Sequence, residues 1–124
     1  MQTLSFAKGH ATHNDFVILV DREAMTPLSA DTVRWLCDRR GGIGADGVLR
    51  AVRSELIPEW QGKPDLWFMD YRNADGSIAE MCGNGLRLFV RYLLDQGLVD
   101  AEPVEIATRA GLRQAWACLD GRIK

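Results

Sequence analysis

The chain has 124 residues, of which 47% are hydrophobic and 26% are charged, and its formal net charge at pH 7 is -2. This composition is typical of one modest globular domain. No apolar run is long enough to cross a membrane, and the 15 Lys and Arg residues are scattered among 17 acidic ones. We therefore expect neither a membrane nor a nucleic acid as a partner.

The three cysteines also limit the class of protein. Cys37, Cys82 and Cys118 are odd in number, lie far apart and lack CxxC spacing. This pattern argues against a disulfide scaffold or a zinc site and favours the reducing environment of the cytoplasm.

The first residues predict two strands joined by a polar loop. The strands cover Leu4–Lys8 and Phe16–Val20, and the loop, Gly9–Asp15, contains His10 and His13. A loop histidine is more often solvated or capping than catalytic, and the sequence leaves the role of both histidines open.

A short helix is predicted next, near residues 30–39. Ser29 is its predicted N-cap, and Val33, Leu36 and Cys37 form its apolar face. Cys37 is therefore predicted to be buried and inert.

The segment Gly41–Gly47 is rich in turn-forming residues and leads into a predicted strand, Val48–Val52. It contains the pattern GxGxxG, but here a helix precedes the glycines and a strand follows them. Dinucleotide-binding motifs have the opposite order, so the segment predicts a turn and no nucleotide cofactor.

The remaining residues predict one more long helix among short strands. The elements are an irregular segment at 56–65, a strand Leu66–Tyr71, a turn Asn73–Gly76, the main helix Cys82–Gln96 with Gly97 as its stop, and strands Val104–Thr108 and Leu112–Leu119. Asp120 and Gly121 then predict a hairpin turn with no room for a returning strand. We therefore expect the sequence to be the front part of a longer protein.

Cys82 is the residue that most strongly suggests chemistry. It lies where the main helix begins and is followed by Gly83-Asn84-Gly85. The positive end of the helix dipole and the N–H groups without intrahelical partners favour a thiolate there. The same N–H groups can hold a carboxylate or a phosphate. Cys82 is the candidate nucleophile or base, whereas Cys118, beside Trp116 in a predicted strand, is expected to be buried and inert.

Four segments resemble those of diaminopimelate epimerases and occur in the same order. They are KGHATHNDF at 8–16, CDRRGGIGADG at 37–47, YRNADG at 71–76 and MCGNG at 81–85. Over nearly all its length the chain resembles the N-terminal half of such an enzyme. It departs from the common pattern at Ala11-Thr12-His13, where the family usually has Gly-Leu-Gly, and at Gly47, where some members carry glutamine.

The resemblance implies both a fold and an activity. The implied fold is α+β, with mixed and antiparallel strands curled around one central helix (about 82–96), and a similar C-terminal domain is absent from this chain. The implied reaction is the interconversion of L,L- and meso-diaminopimelate, towards lysine, without pyridoxal phosphate or metal. Two cysteines, one from each domain, face each other across the substrate.

The resemblance also implies roles for individual residues. Cys82 corresponds to the first catalytic cysteine, and Asn14, Asn73, Gly83 and Asn84 correspond to substrate contacts. The isolated chain is expected to be inactive and to need its C-terminal domain as a partner. Separately from the resemblance, exposed cleft and hairpin surfaces favour self-association, for example as a homodimer. For Asn14 and Asn73 the residues alone leave a purely conformational role open, because asparagine is common in turns.

Two alternatives stay open at this point. One is a proline or hydroxyproline racemase of the same fold. The other is a non-catalytic module in which the Gly-Asn turn after Cys82 binds a carboxylate or phosphate and the thiol is incidental.

Overall fold

One mixed sheet organises the chain. The computed structural model describes residues 6–11, 14–26, 28–99 and 103–116. Within those residues it contains strands β1 Ala7–Ala11, β2 Asn14–Val20, β3 Gly47–Arg53, β4 Trp67–Asn73, β5 Val104–Thr108 and β6 Gly111–Ala115, helices α1 Ala30–Cys37 and α2 Gly83–Asp95, and a 3₁₀ turn Ser54–Leu56. The arrangement confirms the predicted α+β class.

The strands lie in the sheet in the order of the sequence, from β1 to β6. The β2–β3 and β4–β5 pairs are parallel, and the other three pairs are antiparallel. A parallel pair needs a crossover connection, and each of these two crossovers contains one helix. Helix α1 joins β2 to β3, and α2 joins β4 to β5.

The two helices pack on opposite faces of the sheet because neighbouring strand residues point to opposite sides. Phe16 and Ile18 of β2 belong to the cluster that includes α2, with Phe89 fully buried at its centre. Val17 and Leu19 instead pack with α1. Burying each such side chain contributes about 1.5–3 kcal/mol, so β2 is anchored from both faces.

Helix α2 ends just before Gly97, as the sequence predicts. Gly97 has a φ of +68°, a backbone conformation that glycine adopts without strain. The Gly97 N–H donates to Leu94 O at 3.1 Å, and the Leu98 N–H donates to Leu93 O at 2.9 Å. This pair of hydrogen bonds is a Schellman cap, which satisfies carbonyls that the helix end would otherwise leave free.

Several local predictions are confirmed. The Ser29 side chain accepts a hydrogen bond from the Thr32 N–H at 3.1 Å and caps α1, as predicted. The helix itself ends at Cys37, two residues earlier than predicted. Helix α2 occupies Gly83–Asp95, within the predicted span. After the 3₁₀ turn, the segment as far as residue 66 is irregular, as its prolines and glycine indicate.

The predicted polar loop at Gly9–Asp15 is too long, because parts of it belong to strands β1 and β2. Strand β1 continues to Ala11, and His10 pairs with Asp15 across an antiparallel hairpin. The strand boundary was misplaced because ladder hydrogen bonds join backbone groups and do not require apolar side chains. His13 lies outside the described residues.

Two further boundaries differ at the ends of strands. Asn73, predicted in a turn, is the last residue of β4 and pairs with Gly47. Strand β6 spans Gly111–Ala115. Residues 117–119 of the predicted strand, which include Cys118, lie outside the described part of the chain. The predicted Asp120-Gly121 turn also lies outside it.

The arginines are scattered in the sequence, but three of them converge on one buried carboxylate. The Asp70 side chain is 0% exposed, and it meets Arg50 Nε at 3.0 Å, Arg72 Nε at 3.0 Å and Arg109 Nη1 at 2.6 Å. Arg50 also pairs with Asp21 at 2.8 Å. The group lies on the α1 face of the sheet, away from α2, so its role is to hold strands together.

Candidate active site

The start of α2 lies against one end of the sheet, and this junction forms the candidate site. Strands β2 and β3 begin at that end and the antiparallel β4 finishes there, so Phe16, Gly47 and Asn73 are neighbours in one row across the sheet. The registers thus place Asn73 in the row of Phe16, which is two residues along β2 from Asn14.

Cys82 is the N-cap residue of α2 and has an extended backbone conformation, with φ -139° and ψ 125°. Its thiol is free and its side chain is half-buried. The first hydrogen bond of the helix runs from the Leu86 N–H to Cys82 O at 2.8 Å. The N–H groups of Gly83, Asn84 and Gly85 therefore precede the first helical hydrogen bond and are available to an anion.

Asn14 and Asn84 are brought together although they are 70 residues apart. Asn84 Nδ2 donates to Asn14 Oδ1 at 2.8 Å, and Asn14 Nδ2 donates to Asp46 Oδ2 at 3.4 Å. Arg87 donates to Asn84 Oδ1 from the next turn of the helix. The two predicted substrate-binding asparagines are thus linked across the junction between β2 and α2.

A charged cluster supports the β2 side of the site. Arg39 pairs with Asp15 at 2.9 Å and with Asp46 at 3.2 Å, and Lys8 pairs with Asp15 at 3.1 Å. The hydrogen bond from Arg39, together with that from Lys8, holds the pKa of Asp15 well below its usual range despite partial burial. The Asp15 N–H and Asn14 Nδ2 both donate to Asp46, so the cluster fixes the start of β2.

Asn73 reaches the site through β4 and is held by its own turn. Its side-chain Nδ2 donates to Ser77 Oγ at 3.0 Å, and its backbone N–H donates to Ser77 O at 2.9 Å. The Ala74 N–H donates to Asp46 O at 3.1 Å and joins this turn to the segment before β3. The turn therefore sets where the Asn73 amide points.

The sequence reasoning missed Tyr71, which lies beside Cys82. Burial raises the pKa of Tyr71, and the neighbouring Cys82 thiol and Asp46 carboxylate raise it further. The Tyr71 ring also packs edge-on against Phe16, with ring centroids 5.9 Å apart. The only available signal was its position two residues before Asn73, which places both on the same face of β4.

The other candidate residues lie apart from this group or cannot be placed. Cys37, the last residue of α1, is 5% exposed and packs in the core on the α1 face of the sheet, as predicted, and burial is the main cause that raises the pKa of its thiol. His10 is an exposed residue of β1. His13 and Cys118 fall outside the described residues.

The described residues contain no cluster of three or more His, Cys, Asp and Glu side chains that could hold a metal ion. The glycine-rich segment does run from α1 into β3, the order that argues against a dinucleotide site. None of the helices in the described ranges is long and apolar enough to cross a membrane.

Comparison with solved structures defines the class of fold. A phenazine biosynthesis protein of the PhzF family from Bacillus anthracis is similar with a TM-score of 0.68 and 20% identity, covering 99% of this chain and 39% of that one. A probable proline racemase from Agrobacterium radiobacter K84 is similar with a TM-score of 0.65 and 20% identity, covering 97% and 39%. The chain shares its fold with part of each of these proteins.

Comparison of sequences gives the family. The sequence model of the diaminopimelate epimerase family matches residues 6–123. The diaminopimelate epimerase of Corynebacterium glutamicum strain ATCC 13032 is 58% identical over 111 residues, which are 90% of this chain and 40% of that protein. That of Thermobifida fusca is 56% identical over 126 residues, covering 97% and 46%. The chain belongs to the diaminopimelate epimerase family, and it spans less than half the length of these relatives.

Proposed function

We propose that the chain is the N-terminal domain of a cofactor-independent diaminopimelate epimerase and that Cys82 is one of its two acid/base residues. The observation that carries this proposal is the position of Cys82, a free thiol at the first turn of α2, beside N–H groups that no helical carbonyl accepts. The membership of the family supplies the substrate, L,L-diaminopimelate, and the product, the meso isomer.

Inversion of an α-carbon needs a base on one face of the substrate and an acid on the other. The α-proton is weakly acidic, so its removal requires that charge developing on the substrate carboxylate meets fixed donors. The N–H groups of Gly83 and Asn84 are such donors, and they adjoin the Cys82 thiol. Cys82 removes or returns the proton on one face, and the second cysteine, in the C-terminal domain, serves the other face.

Asn14 and Asn73 orient the substrate in this proposal. Each lies at the same end of the sheet, and each is held by hydrogen bonds to neighbours, Asn14 to Asp46 and Asn84, and Asn73 to Ser77. Because these amides are already held in place, little side-chain entropy is lost when they bind the substrate. Binding the substrate in one orientation keeps its two faces distinct. The protein is proposed to act in the cytoplasm and to need both domains for turnover.

A fusion of this chain to the remaining part of a related enzyme tests this function. We would replace the matched N-terminal part of the Corynebacterium glutamicum enzyme by residues 1–124 and assay epimerisation of L,L-diaminopimelate and racemisation of L-proline. We expect conversion to the meso isomer with uptake of solvent deuterium at the α-carbon, no reaction of proline, and no turnover by the isolated chain.

The unmodified Corynebacterium enzyme is the control for the assay. Turnover of proline in place of diaminopimelate would favour the racemase alternative. A folded fusion that bound diaminopimelate but exchanged no α-proton would favour the non-catalytic binding module.

A further inference from the structure

Two of the proposed substrate-binding asparagines lie in the middle of a chain of hydrogen bonds whose two ends are charged. At one end, Asn14 Nδ2 donates to the Asp46 carboxylate at 3.4 Å. In the middle, Asn84 Nδ2 donates to Asn14 Oδ1 at 2.8 Å. At the other end, the Arg87 guanidinium donates to Asn84 Oδ1. We call this set of four side chains the amide relay.

The charged ends of the amide relay fix which way round both amides lie. An ionised carboxylate can only accept hydrogen bonds and a guanidinium can only donate them, whereas an asparagine amide does both. Asp46 therefore requires the amide nitrogen of Asn14, and Arg87 requires the amide oxygen of Asn84. Turning over either amide alone would bring two donors or two acceptors together between Asn14 and Asn84. Only one orientation of the pair satisfies all three contacts.

The backbone holds the two sides of the relay close together. The first turn of α2 packs on β2, since the point that a Cβ of Gly85 would occupy is 3.4 Å from Phe16 Cζ. On the β2 side, the Asp15 N–H donates to Asp46 Oδ2 at 3.1 Å and holds the carboxylate in place. On the α2 side, Arg87 is exposed and reaches back three residues along the helix. The orientation of the Asn84 amide thus depends on a surface arginine.

We propose that Arg87 is a positioning residue, which fixes the orientation of the Asn84 amide and, through it, that of Asn14. This inference rests on the proposed function, in which Asn14 and Asn84 contact the substrate. In the relay each amide donates through one N–H and keeps a second, because an asparagine amide has two. An amide that is oriented before binding loses less side-chain freedom when substrate binds, so Arg87 is expected to act on affinity more than on the chemical step.

The test measures KM and kcat for L,L-diaminopimelate in the fused enzyme with three changes at position 87. Arg87→Met removes the donor and should raise KM about fivefold, with kcat within about twofold of the unmodified fusion. Arg87→Lys and Arg87→Gln each keep a donor one turn from Asn84, so KM should stay within about twofold. Glutamine carries no charge, so its rescue separates the hydrogen bond from a general attraction for an anionic substrate.

The matched control is Arg91→Met. Arg91 lies one turn further along α2, is 43% exposed and pairs with Asp95 at 3.9 Å. The loss of this arginine should leave KM unchanged, although it removes the same charge from the same helix. Circular dichroism and thermal unfolding verify that every variant is folded.

A second measurement does not depend on turnover. In the fused enzyme labelled with ¹⁵N-asparagine, NMR follows the exchange of the side-chain amide protons of Asn14 and Asn84 with solvent. One proton of each amide should exchange slowly in the unmodified fusion, because it is hydrogen-bonded within the relay. Exchange at both amides should be about fivefold faster in Arg87→Met and unchanged in Arg91→Met.

Three results would overturn the inference. The first is a KM and an amide exchange that are unchanged in Arg87→Met. The second is an equal rise of KM in Arg87→Gln and Arg87→Met, which would assign the effect to charge alone. The third is an equal rise of KM in Arg91→Met. Failure of the proposed function would appear instead as no epimerisation by the unmodified fusion, and the amide exchange would still decide whether Arg87 orients the two amides.

Discussion

Asp15 is the residue whose charge matters most to the β2 side of the site. It accepts hydrogen bonds from Arg39 and Lys8, and its side chain is 17% exposed. The adjacent Asn14 amide depends on the same cluster through Asp46. Ionised Asp15 therefore stabilises the folded state and also fixes Asn14, a proposed substrate-binding side chain.

The pH dependence of stability tests this residue. The pKa of Asp15 is lowered from its ordinary value of 3.8, chiefly by Arg39. Its contribution to the free energy of unfolding is therefore complete above about pH 4 and is lost as the pH falls below that value. Asp15→Asn should be less stable than the wild type at pH 7 and should lose less stability between pH 4 and pH 2. Urea unfolding at each pH measures the difference.

The matched control is Asp31→Asn. Asp31 is 89% exposed and pairs with Arg34 one turn along α1, so this change should be nearly neutral. Equal slopes of stability against pH in the wild type and Asp15→Asn would contradict the account.

At the residue scale, the sequence predicts the side chains of the proposed site but not how they meet. Cys82, Gly83 and Asn84 adjoin one another in the chain, so one helix start places all three. The hydrogen bond between Asn14 and Asn84 joins residues 70 positions apart, and it depends on how α2 packs across β2. No local sequence pattern encodes that packing. The sequence does not single out Tyr71 for the same reason, because its neighbours also come from distant parts of the chain.

At the scale of elements, the long apolar periodicity of α2 and the Gly97 stop predicted a helix within a residue at each end. Strand β1 was predicted less well, because its exposed, polar half has no apolar alternation to reveal it. The ion group around Asp70 was not predicted at all. Its members come from β3, β4 and the turn after β5, and only the sheet registers bring them together.

The Asp70 group leads to a prediction about stability. Burial acts to raise the pKa of Asp70, but Arg72 and Arg109 outweigh it and lower the pKa. Asp70→Asn keeps the shape of the side chain but leaves buried guanidinium groups without their countercharge. Breaking a buried ion pair in this way costs about 3–5 kcal/mol in free energy of unfolding, whereas Asp31→Asn should cost less than about 1 kcal/mol.

Chemical denaturation of both variants would measure these values. A cost for Asp70→Asn no larger than that for the exposed Asp31 variant would show that the buried group does not hold β3, β4 and the β5–β6 turn together.

At the scale of the whole molecule, the chain is organised around a single helix start. The sheet brings Asn14, Gly47 and Asn73 to the end where α2 begins, and α2 presents Cys82 there with its first N–H groups. In the proposed function, this arrangement provides a base and an anion-binding turn on one side of the substrate. The C-terminal domain is proposed to cover the opposite side, so turnover is expected only when both domains are present.

The most direct test of this account is the rate of diaminopimelate epimerisation by the fused enzyme with Cys82→Ser, compared with Cys37→Ala. Cys37 is buried at the end of α1, on the opposite face of the sheet from Cys82, so its variant controls for the loss of a thiol. We predict that Cys82→Ser lowers kcat by about 10²–10⁴-fold with an unchanged circular dichroism spectrum, and that Cys37→Ala keeps near-normal turnover. Near-normal epimerisation by folded Cys82→Ser would contradict the assignment of Cys82 as an acid/base residue.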